Sequence, residues 1–167
     1  HPEWRGNVVF VALLNPSREG LAEYLAYRLE VEQAAEAVNA RWQTTDWQPV
    51  VLDTRDNFPG SVAALERYDV LLVNPIKDGL NLVAKEGPAC NQRDGVVCLS
   101  PEAGAWEELH EAVVSVHPYD IEQVAGALRD ALCEPVAERS ARAARLRELA
   151  TARTPRAWLD DQLRAIS

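Results

Sequence analysis

Apolar positions recur along this chain at two periods, one for strands and one for helices. Asn7–Leu14 is a continuous apolar run bounded by Gly6 and Asn15-Pro16, the pattern of a strand buried in a parallel sheet. A helix opens at Ser17 or Glu19-Gly20, and its apolar side is marked by Leu21, Tyr24, Leu25, Leu29, Val31, Ala35 and Val38. That spacing predicts a long amphipathic helix ending near Trp42. Pro49–Asp53 predicts a second strand, and Pro59–Tyr68 a short helix carrying Val62 and Leu65. Val70–Val73 is the third strand, Leu82–Cys90 a helix, Gly95–Ser100 the fourth strand, Ala103–Leu109 a short helix and Ala112–Val116 the fifth strand.

Beyond the fifth strand the pattern is helical. Asp120 stands at capping-box spacing before Gln123 and opens a helix carrying Ile121, Val124, Leu128 and Leu132. Pro135 starts another, Val136–Ala150, whose many Ala and Arg residues suit a surface helix. Thr154-Pro155 caps a last one, with Trp158, Leu159, Leu163 and Ile166 on one face. Strands alternating with helices predict a parallel α/β sheet. In such sheets ligands gather beyond the carboxyl ends of the strands.

Composition adds little to this picture. The 167 residues suffice for a domain with a real core, and 47% hydrophobic with 26% charged residues is ordinary for a globular protein. A net charge of −9 argues against a general nucleic-acid surface. No apolar run reaches the ~18–20 residues that span a membrane, and His1-Pro2-Glu3-Trp4-Arg5 has no signal-peptide character. Cys90, Cys98 and Cys133 lack C-x-x-C spacing. They read as free thiols of a cytoplasmic protein, with no zinc site.

The chemistry concentrates in the loop after the third strand. Asp78-Gly79-Leu80-Asn81-Leu82-Val83-Ala84-Lys85-Glu86 reads as a loop entering a helix. Free amides at a helix start form an anion site, and Asp78 and Glu86 add acceptors for hydroxyls. Phosphate donors flanked by carboxylates suit a nucleotide-sugar. The bland alternatives are an Asx-Gly turn at Asp78, a simple cap at Asn81 and a solvated helix acid at Glu86. Lys77 and Lys85 read as solvent-facing cations, and His117 before Pro118 as structural. No nucleophile elbow, Walker loop or His/carboxylate metal cluster appears, so no catalytic residue is assigned.

Asn74–Glu86 (NPIKDGLNLVAKE) resembles the donor-site motif of the trehalose-6-phosphate synthase family of retaining glycosyltransferases. The likeness continues through Gly95–Leu109 (GVVCLSPEAGAWEEL), His117–Asp120 (HPYD) and the closing helices. The resemblance implies a Rossmann-like parallel sheet with flanking helices, the C-terminal domain of a GT-B glycosyltransferase lacking its first strand. It implies a nucleotide-sugar-binding domain over residues 1–150, and over 151–167 a helix that crosses to a missing N-terminal region or chain. The implied reaction moves glucose from UDP- or GDP-glucose to glucose-6-phosphate, with no obligate metal or cofactor.

By the same resemblance Asp78 contacts hydroxyls of the transferred glucose, and Gly79 and Leu80 lie against that sugar. Asn81 caps the helix, the Leu82 and Val83 amides face the diphosphate, and Glu86 accepts from the ribose. Arg18 aligns with a cation on the acceptor's phosphate. Asp56-Asn57-Phe58-Pro59-Gly60 aligns with a loop near the base, but Gly60 stands where an Arg is common. A strand and a Ser-Lys-Gly loop belong upstream in the family and have no equivalent in this sequence. The strands at Asn7–Leu14 and Val70–Val73 are then expected to close on each other or to receive a strand from another chain. The alternative function is a catalytically silent nucleotide-sugar-binding module, or a pseudo-glycosyltransferase part, active only in an assembly. The stripe on the last helix predicts self-association.

Overall fold

A computed structural model describes residues 2–14 and 21–166. Its contacts divide the chain into two units, His1–Ser61 and Val62–Ser167.

In the first unit β1 (Phe10–Leu13) pairs in parallel with β2 (Val50–Asp53), Phe10 opposite Val50 and Leu13 opposite Asp53. Between them in sequence runs α1 (Ala22–Trp42). The Trp47 indole N–H donates to the Val8 carbonyl at 2.9 Å, tying the segment before β2 to the start of β1. Arg28 of α1 donates to Thr54 Oγ1 and to Glu32, both at 2.8 Å. The residues that open α1, including Ser17, Glu19 and Gly20, lie outside the described residues.

The apolar side expected of α1 does not become a buried face. Val31 and Ala35 are half-buried, but Leu21, Tyr24, Leu25, Leu29 and Val38 are exposed, and the helix contributes no buried residue. A two-stranded sheet has too little area to cover a helix of 21 residues. The strand expected over Asn7–Leu14 is likewise shorter and more open, with Phe10 46% exposed and Val11 51%.

The second unit holds β3 (Val70–Val73), β4 (Val96–Leu99) and β5 (Val114–Ser115), all parallel, in the order β3-β4-β5. Among the described residues the strands form two sheets, β1-β2 and β3-β4-β5. All four residues of β4 are buried, and they alternate between two apolar clusters. Val97 and Leu99 pack with Val73, Ala84, Leu109 and Leu146; Val96 and Cys98 pack with Val116 and Ala131. This is the period-two signature of a strand covered on both faces. Helices α3 (Val83–Cys90), α4 (Trp106–Leu109) and α6 (Val136–Ala152) supply the first cluster, and α5 (Ile121–Cys133) the second.

Buried Asn91 organises the entry to β4. Its Oδ1 accepts from the Arg93 and Gly95 amides at 2.9 and 2.8 Å, and its Nδ2 donates to the Tyr68 carbonyl at 2.9 Å. Gly95 is required there, because a Cβ would lie 2.2 Å from the Tyr68 ring.

Three other expectations change. The helix expected as a surface element, α6, buries Ala143 and Leu146 in the core. The fifth strand contracts to Val114–Ser115, because His110–Ala112 turns as a 3-10 helix. The Asp120 side chain accepts from the Gln123 amide at 2.9 Å, but Gln123 does not return the bond to Asp120. It reaches instead to the His117 amide and the Ser115 carbonyl, bracing the exit from β5, and Ile121 is left exposed. The last helix, α7 (Pro155–Ala165), is capped as expected by Thr154 Oγ1, which accepts from Ala157. In sequence α2 (Phe58–Arg67) runs from the last residues of the first unit into the second, and it begins where Asn57 Oδ1 accepts the Gly60 amide at 3.0 Å.

Candidate functional site

The site begins where β3 ends. Val73 is the last strand residue, and its carbonyl accepts the Ser100 amide at 2.9 Å, so the loops after β3 and β4 leave the sheet together. They stay together at Asp78. The Asp78 amide donates to the Glu102 carbonyl at 3.1 Å, and the Gly104 amide donates to the Asp78 carbonyl at 2.8 Å.

Asp78 then folds its carboxylate over the turn. Oδ1 accepts from the Leu80 amide at 3.1 Å, and Oδ2 from Asn81 Nδ2 at 3.0 Å. Asn81 adopts φ 60°, a left-handed conformation that asparagine tolerates. From there its Oδ1 accepts the Ala84 amide at 3.1 Å. Asn81 therefore caps α3. Ala84 is fully buried and seats the helix on the core.

The cap leaves two donors over. The Leu82 and Val83 amides find no acceptor among the described residues. They stand at the positive end of the α3 dipole, where an anion is stabilised. Glu86 lies one turn into the helix on the Val83 side. It is exposed, and no hydrogen bond or ion pair engages its carboxylate among the described residues. Leu80, Leu82 and Val83 are also exposed.

The structure thus brings Asp78, Gly79, Leu80, Asn81, Leu82, Val83 and Glu86 into one turn and one helix start. The Asp78 carboxylate is half-occupied by the turn itself. A carboxylate offers about four acceptor positions, so two remain for hydroxyls. Lys77 is exposed, as read from sequence. Lys85 is not the solvent-facing cation expected, because its ammonium pairs with Glu108 of α4 at 2.8 Å and the side chain is largely covered. Arg18 lies outside the described residues. His110 and His117 are exposed, and His117 enters through its backbone, whose amide donates to Gln123 and whose carbonyl accepts from Asp120.

In the first unit, the carboxyl end of β2 carries its own polar cluster. Asp53 accepts from the Arg55 guanidinium at 2.8 and 3.0 Å and from Asn57 at 3.3 Å. Those bonds, the Arg55 side chain first, hold the Asp53 carboxyl far below the usual carboxylate range. Gly60 has a local reason: a Cβ there would lie 2.5 Å from the Asn57 side-chain nitrogen.

Sequence reasoning missed the residues that hold the turn from behind, Glu102, Gly104 and Glu108. The one available signal was Gly104 between two alanines that both prove buried. Among the described residues no group of three His, Cys, Asp or Glu could hold a metal ion, and no helix is long and apolar enough to cross a membrane.

A parallel α/β fold with an anion-ready turn beyond its strand ends is the Rossmann-like arrangement of GT-B glycosyltransferases. The sequence profile of Glycosyltransferase family 20 matches residues 1–167, and the chain belongs to that family. It is 40% identical over 135 residues to the bifunctional trehalose-6-phosphate synthase/phosphatase of Thermoproteus tenax, covering 79% of this chain and 18% of that protein. A Burkholderia xenovorans UDP-forming alpha,alpha-trehalose-phosphate synthase, solved in complex with glucose-6-phosphate, superposes with a TM-score of 0.92 at 32% identity, over 99% of this chain and 37% of that one. A structure from E. coli bound with UDP-2-fluoro glucose gives a TM-score of 0.92 at 30% identity, with coverage of 99% and 37%. The chain therefore spans well under half the length of these relatives.

Proposed function

We propose that this chain is the donor-binding part of a retaining glucosyltransferase that moves glucose from UDP-glucose to glucose-6-phosphate, giving trehalose 6-phosphate. Residues 1–150 form the nucleotide-sugar domain, and the closing segment 151–167, which carries α7, reaches to another part of the enzyme. The observation that carries this reading is the Asp78–Asn81 turn, which leaves the Leu82 and Val83 amides unused beside an unpaired Glu86.

Each group has a task that its position supports. The two amides donate to the donor's diphosphate and stabilise the charge that grows there as the glycosidic bond breaks. Glu86 accepts from the ribose hydroxyls, and Asp78 uses its remaining lone pairs on the glucose hydroxyls. Lys85 is engaged by Glu108 and positions α4 rather than phosphate. The acceptor hydroxyl and the cations that neutralise the leaving diphosphate come from outside the described residues.

Selective loss of binding tests the reading. Glu86→Ala should weaken both UDP and UDP-glucose, by about 1–3 kcal/mol. Asp78→Ala should weaken UDP-glucose more than UDP. Variants that bind UDP-glucose as the wild type does would refute it.

A further inference from the structure

The loop after β4 grips the Asp78 turn by a scrap of parallel pairing beyond the end of the sheet. Asp78 and Ala103 form a parallel bridge, closed by the Asp78-to-Glu102 and Gly104-to-Asp78 backbone bonds at 3.1 and 2.8 Å. This strap is anchored. The Glu102 amide donates to buried Ser100 Oγ at 3.1 Å, the Ala103 amide to the Ser100 carbonyl at 3.1 Å, and Ala103 and Ala105 are both buried.

Gly104 is where the strap meets the turn. A Cβ on Gly104 would lie 2.1 Å from the Gly79 carbonyl oxygen, 2.5 Å from its carbon and 2.9 Å from the Leu80 nitrogen. All three are backbone atoms, so no rotamer change relieves the overlap. A Cβ on Gly79 would meet nothing within 4 Å. Within this chain the close backbone approach is made at Gly104 and not at Gly79. Ala103 and Ala105, on either side of Gly104, are buried and the Gly79–Leu80 peptide is exposed, so added bulk displaces the peptide. Leu80 is also the amide that holds Asp78 Oδ1.

We propose that Gly104 is a positioning residue for the sugar-binding half of the donor turn: it touches no substrate and sets Asp78 through the Gly79–Leu80 peptide. This rests on the donor-site reading above. The diphosphate half is held separately, by the Asn81–Ala84 cap and buried Ala84. Disturbing Gly104 therefore separates the two ligands.

The experiment titrates UDP and UDP-glucose into the wild-type chain, Gly104→Ala, Ser100→Ala and Gly126→Ala, and follows amide hydrogen exchange at Asp78 and Leu80. Ser100→Ala loosens the strap without adding bulk, and Gly126→Ala is a control whose Cβ meets nothing within 4 Å. Gly104→Ala should lose about tenfold or more in UDP-glucose affinity and only about threefold or less in UDP affinity. Ser100→Ala should move the same way by less, both variants should exchange faster at Asp78 and Leu80, and Gly126→Ala should match the wild type. Equal losses for both ligands, or wild-type UDP-glucose affinity in Gly104→Ala, would overturn the proposal alone. A wild-type chain that binds neither ligand would remove the donor-site reading and this proposal with it.

Discussion

Asn39 and Val50 exchange two hydrogen bonds: Asn39 Nδ2 donates to the Val50 carbonyl, and Asn39 Oδ1 accepts the Val50 amide, each at 2.9 Å. One side-chain amide thus offers the edge of β2 the donor and acceptor that a neighbouring strand would offer. It fastens α1 to a sheet too small to bury it.

Asn39→Ala should therefore destabilise the first unit by about 2 kcal/mol, two part-buried bonds at roughly 1 kcal/mol each. Urea unfolding followed by tryptophan fluorescence reads this, since Trp4, Trp42 and Trp47 all lie in that unit. Asn39→Asp keeps the acceptor for the Val50 amide and should fall between. An unchanged midpoint in Asn39→Ala would show that the pair contributes nothing net.

The three thiols should differ in reactivity. Burial pushes the Cys98 thiol up to about 11 from the ordinary 9.0, whereas Cys133 is exposed. Iodoacetamide at pH 8 should label Cys133 first and Cys98 only on unfolding, as peptide mass spectrometry would show. The same shift makes stability pH-dependent. Below pH 9 the thiol is protonated in both states and the contribution is full. Between about 9 and 11 only the unfolded chain ionises, so stability falls as pH rises through that window. Tyr68, raised mainly by burial, adds in the same direction at higher pH. Stability that rises between pH 9 and 11 would contradict this.

What the sequence made legible was local. Val70–Val73 and the Thr154 cap stand where the pattern put them, because both depend on neighbours in sequence. The turn from Asp78 to Glu86 was legible for the same reason. The partners of elements were not. The apolar edge of α6, with Leu146 fully buried, was hidden among alanines and arginines, and only packing on the β4 cluster exposes it. The α1 stripe misled in the opposite sense, since periodicity reports a face able to be buried, not a surface present to bury it. Gly104 and Glu108 reach the turn from the next βα connection, a relation with no local pattern.

Alone, this chain should make no trehalose 6-phosphate from UDP-glucose and glucose-6-phosphate. Among the described residues the cation nearest in sequence to Glu86, Lys85, is held by Glu108, and the chain covers 37% of the Burkholderia xenovorans synthase with which it superposes. Chromatographic detection of product from the purified chain at a rate above background would show that the site is complete within it.

The last helix should drive association. On α7 Trp158 is 54% exposed and Leu159 48%, and Ile166 beyond its end is 83% exposed. Apolar patches of this kind favour self-association. Sedimentation velocity should show concentration-dependent dimers or larger species, reduced by Trp158→Ser with Leu159→Ser. A monomer at every concentration, unchanged by the substitutions, would contradict it.

The central claim is tested most directly by calorimetric titration of the wild-type chain with UDP, GDP, UDP-glucose and GDP-glucose. The donor-site account predicts saturable binding of UDP and UDP-glucose at one site per chain, tighter than the guanine counterparts. Absence of binding by all four, or binding of the guanine ligands alone, would contradict it.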